Sequence, residues 1–276
     1  MEKWYTRNPK GTLVGGATDV GLWVTKNLSE LKEICFIGQI EEMSKIDVSS
    51  KALNVGASTT IEALRHELQK KYPDFSELLR RYGSMQVRNA ATLGGNIANG
   101  SPIGDSPPAL IAIGASILLN RNSKHRKIAI EDFFIKYGQQ DRHPGEFIES
   151  IEIPLTEKNL KCYKISKRFD QDISAICGCF NITLEKNRVK AARIAFGGMA
   201  EIPKRATSVE KFLVGRIWSE KTISGAMIEF DKDFNPISDL RATSEYRKIT
   251  AKNLLKKYYL EINQVEKNTN VLKVIS

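Results

Sequence analysis

Apolar and polar positions alternate along residues 148–154 (Ile-Glu-Ser-Ile-Glu-Ile-Pro), the period of a strand with one covered face. The same period, less clean, runs through residues 162–166, 174–184 and 189–195, and residues 185–188 are predicted to form the hairpin turn joining the last two. Residues 52–56 and 116–120 are further predicted strands, and Leu13-Val14 reads as the end of another. Helical spacing takes over at Ile61, Leu64, Leu68 and Tyr72. That helix is expected to start at Ser58-Thr59-Thr60, with Thr59 and Glu62 closing a capping box, and to stop at Pro73. More helices are predicted from Phe75 to Tyr82, from Ala109 to Ile113, and over 208–214, 219–227 and 244–260.

Residues 87–108 (VRNAATLGGNIANGSPIGDSPP) fit neither period, because Gly94, Gly95, Gly100 and Gly104 with Pro102, Pro107 and Pro108 exclude one regular element. The order is mixed strands and helices to about residue 155, then antiparallel strands followed by helices. This is an α+β arrangement in two domains, residues 1–155 and 160–262, for which 276 residues are enough to bury two cores. Residues 264–276 are polar enough to be a disordered tail.

With 41% hydrophobic and 27% charged residues the chain has the balance of a folded globular protein. The longest apolar run, 109–119, is broken by Gly114 and Ser116 and is too short to span a membrane. The charged amino end (Glu2, Lys3, Arg7, Lys10) leads into no apolar stretch of the secretory kind, so a cytoplasmic setting is expected. The net charge of +10 is spread along the chain without aromatic interleaving and reads first as a solvated face, then as a surface for an acidic partner or anionic cofactor, and last as one for nucleic acid. Cys35, Cys162, Cys177 and Cys179 lack metal-knuckle spacing, and Cys177 and Cys179 are expected on one face of a strand as buried small hydrophobes. His66, His125 and His143 form no recognisable triad, and the first two are expected at the surface.

Two glycine-rich segments carry the candidate chemistry: Gly15-Gly16-Ala17-Thr18-Asp19 after a strand, and Thr92-Leu93-Gly94-Gly95-Asn96-Ile97 in the irregular stretch. Read as loops, each can turn successive backbone N–H groups toward one anion, a diphosphate above all, with Thr18, Thr92 and Ser101 adding hydroxyls. Neither is a Walker sequence nor a GxGxxG fingerprint. A tight turn accounts for either glycine pair taken singly, whereas the two together point to a ligand. On this reading Gly94→Val or Gly95→Val would abolish binding and leave the fold intact.

At this point LVGGATDVG (13–21), VRNAATLGGNIANGSPIGDSPPAL (87–110), IESIEIP (148–154), AFGGMAEIPKRA (195–206) and TSEYRK (243–248) resemble the FAD-binding, medium-sized part of xanthine dehydrogenases and their relatives among the molybdenum hydroxylases. The resemblance covers nearly the whole chain. It implies a two-lobed FAD-binding domain of the vanillyl-alcohol oxidase (PCMH) type, followed by an α+β domain like the carboxy-terminal domain of the carbon monoxide dehydrogenase flavoprotein. It further implies that Leu13, Val14, Gly15, Gly16, Ala17, Thr18, Asp19 and Val20 wrap the FAD diphosphate, that Thr92, Gly94, Gly95 and Asn96 continue the cradle, and that Ser101 and Asp105 reach the ribityl chain or adenosine. Tyr82 falls where relatives put an aromatic ring against the flavin, and a tyrosine closing a helix onto the core is the plainer alternative. Ile148 and Lys164 match an apolar contact and a lysine near the isoalloxazine, with an ordinary surface lysine the plainer alternative for Lys164.

The implied activity is electron transfer from iron-sulfur clusters through FAD to NAD+, with molybdopterin and the purine site on other polypeptides; no catalytic side chain is expected on this one. Flavoproteins of carbon monoxide, nicotinate or aromatic acyl-CoA hydroxylases, and a flavin-free assembly module, share the fold. The cysteine-rich iron-sulfur domain is missing from the sequence, so those cysteines lie on a partner chain or this is an excised piece.

Overall fold

The structure is a computed structural model, and residues 1–155 and 159–263 are described; the tail expected at 264–276 lies outside them. The first half has two lobes. In the small one, strand Thr12–Val14 runs parallel to Ile34–Phe36, and helix Val20–Thr25 lies in the connection between them. A parallel pair needs a long connection of this kind. The larger lobe is a five-stranded antiparallel sheet in the spatial order Ile46–Val48, Ala52–Gly56, Phe147–Pro154, Ser116–Arg121, Lys124–Ala129.

The central strand, Phe147–Pro154, carries a detail that positions the site. Ile148 and Ile151 are three residues apart and would face opposite sides of a regular strand. The register slips between Leu118 and Leu119, so that Leu118 opposes Ser150 while Leu119 opposes Ile148, and Glu149 is the extra residue of a β-bulge. Ile148 thereby shares the face of Leu119, Ile117 and Ile151.

Two helices differ from the sequence expectation at their ends. Thr60, not Thr59, caps helix Ile61–Leu68 by accepting from the Ala63 amide at 3.2 Å, because the Thr59 hydroxyl donates instead to the Ser44 carbonyl. Pro73 does not stop that helix. It opens the next one, Pro73–Arg80, at a first-turn position where no N–H is needed. Glu62 closes no capping box either, since its carboxylate takes the Arg65 guanidinium and the Arg88 Nε at 2.6 Å. Arg88, buried, reaches on to the carbonyls of Arg80 and Gly83.

The Arg65 hydrogen bond first, with Arg88 behind it, outweighs burial and holds the Glu62 carboxyl at about 2, below its ordinary 4.5. A folded pKa below the unfolded one adds stability that is complete above the unfolded value and disappears as the folded value is approached. Thermal melts should therefore show this contribution lost as pH falls from about 4.5 to about 2. Glu62→Gln should flatten that part of the profile, and an unchanged acid limb would remove Glu62 from the account.

The second half is the antiparallel sheet Lys161–Ile165, Ile176–Glu185, Arg188–Gly197, Lys204–Arg205, with helices Thr207–Leu213, Glu220–Asp233 and Ser244–Ile262 after it. The Lys186-Asn187 turn has both residues at positive φ, as a two-residue hairpin needs. Strand Ile176–Glu185 was expected to be half exposed but is buried on both faces through most of its length. Ile176, Phe180 and Ile182 enter an aromatic core in which Phe180 packs on Phe196 and Tyr258, each at 5.5 Å between ring centroids. Cys177 and Cys179 point the other way, together as expected, into the core of the first half.

Between the halves lies helix Ser106–Ile113, in which all eight residues are buried. It packs on strands Ile176–Glu185 and Arg188–Gly197. The carboxy end of that helix is closed by Gly114 at φ 83° and by side chains from the second sheet. Arg193 donates to the Ile111 carbonyl and Asn181 to that of Ala112.

Candidate functional site

A cleft of about 580 Å³ opens in the first half, within the range of small-molecule sites. Its wall contains Leu13, Gly15, Gly16, Ala17, Thr18, Asp19 and Val20 from the first glycine-rich segment, and Thr92, Gly94, Gly95 and Asn96 from the second. Tyr82 and Ile148 join them, and Phe147 stands beside Ile148. The glycine segments, some eighty residues apart by number, meet at one hydroxyl. A Cβ added to Gly15 would come within 2.9 Å of Thr92 Oγ1, and one added to Gly95 within 2.8 Å of the same atom.

The first segment is the bend the sequence predicts. Ala17 takes φ 56°, and Gly16 lies so close to the Ala90 carbonyl that no side chain fits there. Among the described residues, the amides of Gly16, Ala17, Thr18 and Asp19 donate no hydrogen bond to the protein. Backbone donors of this kind at a cleft wall need water or a ligand to satisfy them.

The second segment is not a loop. Thr92 caps helix Leu93–Asn99, and the amides of its first turn are already engaged: Leu93 with the Thr59 carbonyl, Gly94 with that of Ala57, and Gly95 with Thr92 Oγ1. It gives the cleft a smooth wall and polar side chains, not a second set of open amides. Gly94 is a packing glycine, since a Cβ there would stand 2.5 Å from the Ala57 Cβ.

Val14, Ser101, Asp105 and Lys164 do not line the cleft. Val14 is buried and its carbonyl bonds the Ile37 amide, and Ser101 bonds the Ile103 amide. Lys164, expected at the flavin ring, is instead buried at the seam between the halves, where its Nζ lies 2.5 Å from Asp105. Ser174 Oγ holds the other Asp105 oxygen at 2.5 Å. Arg81, next to Tyr82, crosses the same seam to the Lys164 and Phe169 carbonyls.

Tyr82 packs against the core, as the plainer reading has it, and also lines the cleft. Its hydroxyl accepts from Asn96 Nδ2 at 3.3 Å. Burial, with the carboxylates of Asp105 and Asp19 nearby, pushes the phenol up to about 12 and keeps it neutral.

Sequence reasoning missed Tyr5, Trp23, Gln140 and Arg142 in the wall. The last two come from a connection with no motif, and only the threading of the chain brings them there. His66, His125 and His143 are all exposed, and among the described residues no cluster of His, Cys, Asp and Glu is arranged to hold a metal. No helix among them is long and apolar enough to cross a membrane.

The profile of the FAD binding domain in molybdopterin dehydrogenase matches residues 1–156. The chain belongs to that family. Residues 161–262 of this flavoprotein match the CO dehydrogenase flavoprotein C-terminal domain. The glyceraldehyde dehydrogenase medium chain of Sulfolobus acidocaldarius is 30% identical, over 91% of this flavoprotein and 89% of the relative. Xanthine dehydrogenase of Emericella nidulans is 26% identical over 96% of this chain, which spans only 21% of that longer protein. In fold, quinoline 2-oxidoreductase from Pseudomonas putida 86 superposes with a TM-score of 0.85 at 23% identity, covering 95% of this chain and 92% of the other. Carbon monoxide dehydrogenase from Hydrogenophaga pseudoflava gives the same TM-score at 22% identity, covering 93% and 92%.

The site fits the group the family is named for. Open amides suit a diphosphate, the glycine surface permits close approach, and a neutral aromatic stands at one wall. The flavoprotein is thus an FAD-binding component of the molybdenum hydroxylase family.

Proposed function

We propose that this chain is the flavin-bearing component through which a molybdenum dehydrogenase of the xanthine type hands electrons from iron-sulfur clusters on a partner polypeptide to NAD+, the molybdopterin centre being on a further polypeptide. When bound, FAD supplies the exchange between one-electron donors and a two-electron hydride acceptor. The chain's own part is to hold and shield it. The observation that carries this is the bend at Gly16 to Asp19, whose open amides lie in a cleft shared with the second glycine motif. Thr18 and Thr92 add hydroxyls to that wall. Tyr82, neutral to about pH 12, offers an aromatic face to the ring system without bringing a charge to it.

A small aldehyde is the second reading of the oxidised substrate, favoured by the 30% identity to a glyceraldehyde dehydrogenase medium chain against 26% for a xanthine dehydrogenase. Titration of the purified chain with FAD, followed by quenching of flavin fluorescence, tests the binding. Saturation at one FAD per chain is expected, and indifference to FAD would leave only an assembly role. Anaerobic NADH should bleach the loaded protein, and a spectrum unmoved by NADH would exclude NAD+ as acceptor. Adding partner chains with hypoxanthine or glyceraldehyde separates the two substrate readings.

A further inference from the structure

The charged side chains in the cleft wall are Asp19 and Arg142. Asp19 holds the Trp23 indole N–H at 3.0 Å and sits in the bend where a diphosphate would lodge, so a like charge already stands beside that place. An anionic ligand there calls for a compensating cation. Lys164 cannot provide it from its place against Asp105, outside the cleft wall.

Arg142 is held in a way that leaves part of its guanidinium open. Its Nη1 donates to the Tyr5 hydroxyl and, at 2.9 Å, to the Glu146 carbonyl, and the group lies over the Tyr5 ring at 5.9 Å. The segment bearing it is tied down by Arg126, which grips Asp141 at 2.7 Å and Glu146 at 2.8 Å. Among the described residues, the Arg142 Nε and Nη2 donate no hydrogen bond to the protein. Arg142 is exposed at the cleft wall, and a guanidinium anchored at Nη1 with two donors open to the cleft can take an oxyanion.

We propose that Arg142 is the anion-recognising side chain of the cleft, gripping the diphosphate of the dinucleotide through Nε and Nη2 and offsetting Asp19. The assignment rests on the FAD reading above. It makes Arg142 a specificity residue for dinucleotide over uncharged flavin, where the backbone amides alone would supply shape and weak charge.

The test compares FAD affinity by fluorescence quenching in the wild type, Arg142→Ala and Arg142→Lys across a series of NaCl concentrations. Loss of this solvent-accessible guanidinium contact should weaken FAD binding in Arg142→Ala by roughly 10- to 100-fold. The dependence of affinity on salt should flatten in Arg142→Ala and return in Arg142→Lys, which keeps the charge without the fork. A merely structural role would not flatten it. Affinity within about twofold of wild type, or a loss with the wild-type salt slope, would overturn the proposal and leave the FAD reading standing. A wild-type chain that binds no FAD would remove both.

Discussion

Gly95→Val is expected to give a folded protein that has lost FAD affinity by roughly 100-fold or more, a clash of about 2.7 kcal/mol sufficing for that factor. Gly95 is exposed at the cleft wall, and its added Cβ would meet only Thr92 Oγ1 within 4 Å. Shifting that hydroxyl disturbs the helix cap by about 1 kcal/mol, well inside what a domain tolerates. The valine branches would then occupy the space over the first turn. Thermal melting and flavin content per chain measure the two effects separately, and a full complement of FAD in a folded variant would put the ligand elsewhere. Gly94→Val behaves differently. Its Cβ would press on the Ala57 Cβ and, at 2.7 Å, on the Ala57 carbonyl, so loss of the fold is expected, and the symmetry the sequence suggests between the two glycines does not hold.

Lys164→Ala should cost about 3–5 kcal/mol of stability, because it strands the buried Asp105 carboxylate with only the Ser174 hydroxyl beside it. Urea unfolding measures the loss. The double variant Lys164→Met with Asp105→Leu should recover much of it, since apolar replacement of a whole buried pair is often neutral. If Lys164 served the flavin directly, the single variant would instead shift the flavin potential and leave the unfolding curve nearly where it was.

The strand pattern carried a good deal of this structure. Residues 52–56 form the strand predicted for them, and the Lys186-Asn187 turn falls inside the hairpin turn predicted at 185–188. Errors arose where a distant group competed for a local one. Two adjacent threonines could each cap helix Ile61–Leu68, and the choice was made by the Ser44 carbonyl, far off in sequence, which takes Thr59 away. Glycines at 94 and 95 read as a loop on propensity, yet a helix starts there because Thr92 caps it and the Ala57 carbonyl takes the Gly94 amide, while the closeness of Ala57 explains why residue 94 is glycine. The first glycine bend was legible because backbone torsion is a local property. Arg142 was not, since nothing in its neighbours announces a cleft whose glycine walls come from residues 15–20 and 92–96.

Helix Ser106–Ile113 has no face of its own to show to water. One side completes the interior beneath the cleft, while the other is roofed by Cys177, Cys179 and Ala195, and its final carbonyls are capped from beyond the seam. A fragment cut at residue 155 would bare an oily rod with its last carbonyls unpaired, so the flavin half is expected to be much less stable on its own. A change of volume anywhere along this rod is therefore felt in both halves at once.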